Sequence, residues 1–187
     1  TPGGKILASL FQSVTLRTAG FASFNQDALT EASKLLSNIL MFVGGSSGST
    51  AGGVKTVTMG LVVLSAVSTM RGRRQVTVFR RSISQQDISN AVSVALLVLG
   101  LSLFGAAVLT VCDRCSFLNA IYETTSALCT VGLTTGITGT LCAASKLILI
   151  VFMFFGRVGI MTIGVGFMMG DRARERVQYA ETKVMIG

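Results

Sequence analysis

The sequence predicts an all-α membrane protein made of repeated helix–loop–helix units, with re-entrant helices and one broken spanning helix. Three observations predict this class. Half of the 187 residues are hydrophobic and only 13% are charged, whereas about a quarter of the residues are charged in a typical soluble domain. Residues 88–111 contain no charged side chain. The chain also repeats part of its own sequence at a spacing of 112 residues.

Three segments are apolar enough to be membrane spans. Residues 88–111 would form a helix of about 36 Å, which exceeds the roughly 30 Å of a hydrocarbon core. Residues 145–170 form a second span, in which Arg157 is the charge within the apolar part. Residues 33–70 form a third, but a ten-residue segment with five glycines interrupts it. At about 1 kcal/mol per glycine relative to alanine, a continuous helix is disfavoured by roughly 5 kcal/mol, so we expect a broken helix. We call the interruption the glycine-rich loop; it consists of Gly44, Gly45, Ser46, Ser47, Gly48, Ser49, Thr50, Ala51, Gly52 and Gly53.

The basic residues predict the topology. Nine of them follow the ends of two predicted spans, whereas only Lys34, Arg114 and Lys146 lie in the opposite loops. Because Lys and Arg concentrate in cytoplasmic loops, the nine are expected to be cytoplasmic. Successive spans then cross the membrane in opposite directions only if residues 116–133 do not cross it. These residues are expected to enter and leave on the same side of the membrane, as a re-entrant helix (116–129) and a loop. The nine are Arg71, Arg73, Arg74, Arg80, Arg81, Arg172, Arg174, Arg176 and Lys183.

Several classes of chemistry are excluded or disfavoured by the residues present. The chain has no histidine, which removes Ser-His-Asp and Cys-His nucleophiles. Cys112 and Cys115 form a CxxC without a second ligand pair, so we interpret the cysteines as apolar residues or disulfide partners rather than metal ligands. A phosphate-binding GxxxxGK[ST] motif fails because Val54 separates Gly53 from Lys55. We therefore expect no enzyme and no cofactor in this chain.

The internal repeat defines two units. Thr18 and Gly20 recur as Thr130 and Gly132, and the Ser-Lys-Leu of residues 33–35 recurs at 145–147. Each unit is predicted to contain a re-entrant helix, a Thr-x-Gly loop and a spanning helix. The units divide the chain at residues 1–81 and 82–187, and the second also has the preceding span 88–111.

The two Thr-x-Gly loops are the candidate binding site. A cation that leaves water needs oxygens to replace its hydration shell, and backbone carbonyls of short loops can supply them. Glycine leaves no side chain in the way, and the helix C-termini before the loops carry partial negative charge. The first loop is Thr18, Ala19, Gly20 and Phe21, and the second is Thr130, Val131, Gly132 and Leu133.

These segments resemble the Trk/Ktr/HKT potassium transporter family. Residues 13–21 (SVTLRTAGF) look like the third pore loop of that family, and residues 130–133 (TVGL) like the fourth. Residues 44–56 resemble the intramembrane gating loop, and residues 156–159 (GRVG) the last helix with its arginine. The ending, residues 179–187, is most similar to the Ktr-type membrane subunit, although Ala180 stands where that family more often has proline.

The resemblance implies a function and partners as expectations. It implies potassium uptake across the cell membrane through a carbonyl-lined filter on the extracellular side, with a cytoplasmic C-terminus. It also implies four pore-loop repeats, of which this sequence holds the third and fourth, so we expect a C-terminal portion of a longer chain. The implied partners are membrane lipid, a second copy in a homodimer, and cytoplasmic nucleotide-binding regulatory subunits, not nucleic acid. K+ is the implied transported ion, and Na+ is left open as a selected or coupling ion.

The charges near the loops complete the sequence-based hypothesis. The repeat alignment places Arg157 opposite Gly45, so we expect Arg157 to donate hydrogen bonds to the glycine-rich loop and hold it across the pore. A structural pair between Arg157 and a distant carboxylate is the alternative. We expect Arg17 and Glu123 to be paired behind the loops, with each other or with other partners. The alternative functions are the channel-like subunit of an ATP-driven potassium pump and a non-transporting membrane scaffold subunit.

Overall fold

A computed structural model describes residues 2–46, 48–49, 51–72, 75–78 and 81–158. Within these ranges the chain forms six α-helices, two short 3₁₀ helices and one two-stranded antiparallel hairpin. The all-α class is therefore confirmed, with a small exception. The hairpin pairs β1 (Thr77–Val78) with β2 (Arg81–Ser82). Strands of two residues are too short to show the alternation by which a strand is recognised in a sequence.

The first half of the chain contains the predicted helix break. Helix α1 spans Pro2–Thr15, a 3₁₀ helix spans Gln26–Ala28, α2 spans Glu31–Phe42 and α3 spans Thr56–Met70. Thr30 caps α2 by accepting a hydrogen bond from the amide of Ser33 at 3.3 Å. The glycine-rich loop separates α2 from α3, as its glycine content predicts.

The second half contains the longest helix. Helix α4 spans Gln85–Asp113, α5 spans Phe117–Leu128, a 3₁₀ helix spans Ile137–Gly139 and α6 spans Ala143–Val158. The predicted span 88–111 lies within α4, which is 29 residues long. In the part of the chain that the structure describes, α4 is the one helix long and apolar enough to cross a membrane. Helix α6 forms the first part of the predicted span 145–170, and the remainder lies outside the described residues.

The two halves share an order of elements that follows the 112-residue repeat. A helix, a Thr-x-Gly loop, a 3₁₀ helix and a second helix occur in each half. Helix α1 corresponds to α5, and α2 corresponds to α6. The glycine-rich loop follows α2, at a position where α6 continues as a helix to Val158. The division of the chain into two pore repeats stays a prediction.

The core surrounds α5. This helix packs against α2, α4 and α6, and every residue from Tyr122 to Leu128 is buried. Helices α4 and α6 approach closely at Gly105, where an added Cβ would overlap the Phe152 ring. Large apolar side chains are exposed on α1, α4 and α6, including Leu7, Phe104 and Phe154. Exposed apolar surface of this extent is typical of lipid or protein contact.

Candidate functional site

The two Thr-x-Gly loops have the same unusual backbone conformation. In the first loop the φ angles are 63° at Thr18 and 75° at Gly20; in the second they are 55° at Thr130 and 91° at Gly132. Positive φ is rare for a β-branched residue such as threonine, and it persists only where the surroundings impose it. The repeat therefore preserves a backbone geometry as well as residue types.

The loops lie against each other at their glycines. A Cβ added to Gly20 would overlap the carbonyl oxygen of Val131 and would lie 3.7 Å from the Cα of Gly132. A Cβ added to Gly132 would lie 4.0 Å from the Cα of Gly20. The structure thus brings together the two glycines that the sequence singles out, although 112 residues separate them.

Hydroxyl groups support each loop from its preceding helix. Thr15 Oγ1 donates a hydrogen bond to the carbonyl of Phe21 at 2.7 Å. Ser126 Oγ donates to the carbonyl of Leu133 at 2.6 Å. Phe21 and Leu133 are the fourth residues of their loops, so both loops are closed in the same way. Neither hydroxyl was a sequence-predicted site residue. The 112-residue repeat aligns Thr15 with Ala127 and Ser126 with Val14, so the two hydroxyls are one position out of register and the repeat gives no signal for them.

The backbone oxygens of the first three residues in each loop have no backbone partner. No amide of the residues that the structure describes donates a hydrogen bond to them. Each loop follows the C-terminal end of a helix, α1 or α5, where the helix dipole favours positive charge. This arrangement can offer several neutral oxygens to one cation. The residues concerned are Thr18, Ala19, Gly20, Thr130, Val131 and Gly132.

Glu123 organises the segment after the second loop. Its side chain is buried on α5, and its Oε1 accepts hydrogen bonds from Thr134 Oγ1 at 2.5 Å and from the Thr135 amide at 2.9 Å. The Thr135 hydroxyl donates to the same oxygen at 3.2 Å, and Thr138 Oγ1 donates to Oε2 at 2.9 Å. The partners of Glu123 in the structure are therefore three threonines of the following segment, and not Arg17.

Two polar contacts link the halves of the chain behind the loops. Gln26 Oε1 accepts hydrogen bonds from Gln12 Nε2 at 2.6 Å and from Tyr122 Oη at 3.2 Å. All three side chains are buried. The contact joins α1 and the first 3₁₀ helix to α5. The sequence did not predict it, because the spacing of these glutamine and tyrosine residues along the chain gives no sign that they meet.

The second contact centres on Lys34. Its ammonium donates to Asp27 Oδ1 at 2.7 Å and to Asn119 Oδ1 at 3.0 Å. Lys34 is buried, whereas Asp27 is largely exposed. The hydrogen bond from Lys34, together with its positive charge, lowers the pKa of Asp27 below its ordinary value. At the repeat-equivalent place, Lys146 Nζ donates to the carbonyl of Gly139 at 3.0 Å.

The glycine-rich loop is closed at its base by backbone hydrogen bonds. Val43 and Val54 form an isolated parallel bridge. The amide of Gly44 donates to Val54 O at 2.9 Å, and the amide of Val54 donates to Phe42 O at 3.2 Å. The ends of the two half-helices therefore stay together. Of the predicted loop residues, Ser47 and Thr50 lie outside the described residues.

The glycine-rich loop touches the second Thr-x-Gly loop directly. The amide of Gly52 donates a hydrogen bond to Thr130 Oγ1 at 2.9 Å. A Cβ on Gly52 would lie 2.9 Å from Cys129 O, and one on Gly53 would lie 2.9 Å from Cys129 Sγ. Both distances are too short for a real Cβ. Glycine at these two positions therefore allows the glycine-rich loop to contact the second Thr-x-Gly loop.

Arg17 binds the other end of the glycine-rich loop. Its guanidinium donates to the carbonyls of Val43 at 3.2 Å and Gly44 at 3.5 Å. Arg17 immediately precedes Thr18 and is exposed. Arg17 and Glu123 are not paired with each other. Each has other polar partners, which is the second possibility that the sequence left open.

A cavity of about 840 Å³ lies beside the glycine-rich loop. Its wall includes Gly52, Gly53, Lys55 and Arg157. Arg157 and the glycine-rich loop thus border the same cavity. Hydrogen bonding of Arg157 to the loop carbonyls stays a proposal.

The cysteines are free thiols. Cys112 and Cys142 are exposed, Cys115 is half-buried and Cys129 is buried. No disulfide therefore involves them in this structure, and Cys129 has the apolar role that was one of the two expectations. Among the described residues no cluster of His, Cys, Asp or Glu has a geometry that could hold a metal ion.

Comparison with known proteins gives consistent matches along nearly the whole chain. Residues 1–174 match the family described as "TrkH: Cation transport protein". The chain is 38% identical over 183 residues to the Ktr system potassium uptake protein B of Bacillus subtilis (strain 168), in a match that covers 98% of this chain and 41% of that protein.

Two further relatives are similar over the same extent. The potassium/sodium uptake protein NtpJ of Enterococcus hirae is 35% identical over 98% of this chain and 42% of its own length. The Ktr system potassium uptake protein B of Vibrio alginolyticus is 32% identical over 100% of this chain and 41% of its own length. The chain spans about two fifths of the length of these curated relatives.

Proposed function

This chain belongs to the TrkH family of cation transport proteins, and on that premise we propose that it takes part in potassium uptake across the cell membrane. It is a membrane protein, in keeping with its family and its apolar helix α4. The names of its relatives, which describe potassium or potassium/sodium uptake, support the proposal. The observation that carries it is the close approach of Gly20 to the carbonyl of Val131.

The proposed filter uses backbone oxygens of residues 18–21 and 130–133. A potassium ion sheds water most readily where several carbonyl dipoles replace its hydration shell. The matching positive φ angles, the adjoining glycines and the carbonyls that no described backbone amide reaches support this role. Two loops supply only part of a coordination shell, so further loops of the complete transporter would supply the rest.

The proposed gate is the glycine-rich loop together with Arg157. The loop contacts Thr130, two residues after the end of α5. In this proposal an ion that leaves the second Thr-x-Gly loop would meet it next. Arg157 borders the cavity beside that loop, and a guanidinium there repels cations until the loop moves. Replacing Arg157 with Ala, or deleting residues 46–50, is expected to raise basal potassium flux. Unchanged flux in both variants would contradict the gate.

The proposed setting is the plasma membrane, with several spans. The Thr-x-Gly loops would face outward and the C-terminus would be cytoplasmic, as the distribution of Lys and Arg favours. A homodimer with cytoplasmic nucleotide-binding regulatory subunits is proposed from the resemblance and from the word "system" in the names of two relatives. The basic segment 71–81 is the proposed contact for such subunits. Na+ as a coupling ion belongs to the same proposal.

Uptake by the full-length protein in a cell that lacks its own potassium uptake tests the function. We expect growth at low external potassium and saturable Rb+ uptake. Absence of uptake from a protein that reaches the membrane would favour the scaffold alternative. Uptake that depends on a co-expressed ATPase would favour the pump-subunit alternative.

A further inference from the structure

Thr130 is the point at which the second Thr-x-Gly loop and the glycine-rich loop meet. Its backbone is part of the proposed filter and has a φ of 55°. Its hydroxyl accepts the hydrogen bond from the Gly52 amide at 2.9 Å. Its methyl group faces α6, where a Cβ added to Gly156 would lie 3.0 Å from Cγ2. One side chain thus fills the space between the loop and the helix that carries Arg157.

The equivalent threonine of the first half makes a different contact. Thr18 Oγ1 donates to the carbonyl of Arg17 at 2.7 Å, which keeps its hydroxyl within its own loop. The two loops share a backbone conformation, but their threonine hydroxyls have different hydrogen-bond partners. In the described part of the chain, only the second loop therefore joins the glycine-rich loop through a threonine hydroxyl.

We infer that the Thr130 hydroxyl couples cation occupancy of the Thr-x-Gly loops to the position of the glycine-rich loop. A threonine with positive φ keeps that conformation only while its surroundings favour it. A cation held by the loop carbonyls favours the same conformation, and this conformation directs the hydroxyl at Gly52. We call the position of the glycine-rich loop in which the Gly52 amide is bonded to Thr130 the seated position. Bound K+ therefore stabilises the loop in this position.

The coupling is reciprocal. If K+ favours the seated loop, then the seated loop raises the affinity for K+ by the same factor, because the two are linked equilibria. Release of the loop weakens K+ binding at the second Thr-x-Gly loop and helps the ion to leave inward. This inference rests on the proposed function, since it requires cations to bind between the two loops.

The test measures how accessible the glycine-rich loop is with and without K+. Ser49 is an exposed residue of that loop, so a Ser49→Cys substitution reports its position. The full-length protein carries this change together with Cys112→Ser and Cys142→Ser, which remove the exposed thiols of the described residues. In proteoliposomes, maleimide labelling is compared in K+ and in N-methylglucamine. We expect K+ to slow labelling by about fivefold or more, the lower range of allosteric couplings.

Three threonine variants identify the residue responsible. Thr130→Val keeps the branched shape and removes the hydroxyl, so the ratio of the two labelling rates is expected to fall towards one. Thr130→Ser keeps the hydroxyl and is expected to keep the ratio. Thr110→Val removes a threonine hydroxyl on α4, outside both loops, and serves as the control. If Thr130→Val does not assemble, Gly52→Ala replaces it, because its Cβ would lie 2.5 Å from Thr130 Oγ1.

The outcomes separate this inference from the proposed function. Rb+ uptake is measured on the same vesicles without any threonine change. Absence of uptake there contradicts the proposed function. Uptake combined with labelling that ignores K+ overturns the coupling alone. The coupling is also overturned if Thr130→Val or Gly52→Ala keeps the full ratio, or if Thr110→Val abolishes it equally.

Discussion

Gly20 lies directly against the carbonyl oxygen of Val131, so close that a methyl group at Gly20 would overlap it. The two residues belong to different halves of the chain, and each sits in a loop with alternating positive φ angles. This relationship is the structural basis of the proposed filter. It also means that the backbone of the second half excludes any side chain at position 20 of the first half.

Substitution at Gly20 is expected to reduce transport strongly. Gly20→Ala adds a Cβ that overlaps Val131 O at a residue whose φ is 75°, and the left-handed conformation alone costs a non-glycine residue about 1–2 kcal/mol. We predict a loss of Rb+ uptake of about tenfold or more, since 1.4 kcal/mol corresponds to a factor of ten in an equilibrium. Gly100→Ala on α4 is the matched control, because its Cβ meets nothing within 4 Å. Equal uptake by the two variants would contradict the close approach.

Removal of the Glu123 charge is expected to destabilise the protein. Glu123→Gln weakens four hydrogen bonds, three from threonine hydroxyls and one from the Thr135 amide. A hydrogen bond to a charged group contributes about 1.5–3 kcal/mol. We predict a loss on the order of 2 kcal/mol, read as a lower midpoint of thermal unfolding in detergent. The exposed Glu31→Gln provides the control. A midpoint that is lowered no more by Glu123→Gln than by Glu31→Gln would show that the cluster is not needed.

The pair of Lys34 and Asp27 predicts a dependence of stability on pH. Because Lys34 lowers the pKa of Asp27, the pair stabilises the folded state above the unfolded pKa of about 3.9. That contribution is lost as the pH falls through the lower, folded-state pKa. Lys34→Met is expected to reduce stability at pH 7 and to weaken the further loss on acidification. Lys5→Met, at an exposed position of α1, should change neither.

Arg17 is expected to restrain the glycine-rich loop. Arg17→Gln removes the cationic donor that reaches the carbonyls of Val43 and Gly44. We predict a higher basal Rb+ flux, because the loop leaves its seated position more often. Arg114→Gln, an exposed arginine at the end of α4, controls for loss of one positive charge. Equal basal flux in the two variants would show that Arg17 does not restrain the glycine-rich loop.

Much of the fold follows from local sequence signals. The absence of charge over residues 88–111 predicts α4, and the five glycines of residues 44–53 predict the break between α2 and α3. The spacing of 112 residues also leads to Gly20 and Gly132, which the structure brings together.

The polar contacts around the site are less accessible from the sequence. The partners of Arg17 are backbone carbonyls, and the partners of Glu123 include an amide and three hydroxyls. Carbonyls and amides occur at every position, so a sequence gives no signal for the ones that a charged side chain will meet. The Gln12–Gln26–Tyr122 contact is hidden for a related reason: it depends on how α1 and α5 pack and not on a spacing within either helix.

The most direct measurement is the position of a heavy cation in an experimental structure of the full-length protein in Rb+ or Tl+. We predict density within coordinating distance of backbone oxygens from both Thr-x-Gly loops, including the carbonyl of Val131. That density should weaken when K+ competes for the site. A resolved filter region with no cation between Gly20 and Gly132, in a protein that still takes up potassium, would contradict the proposed filter.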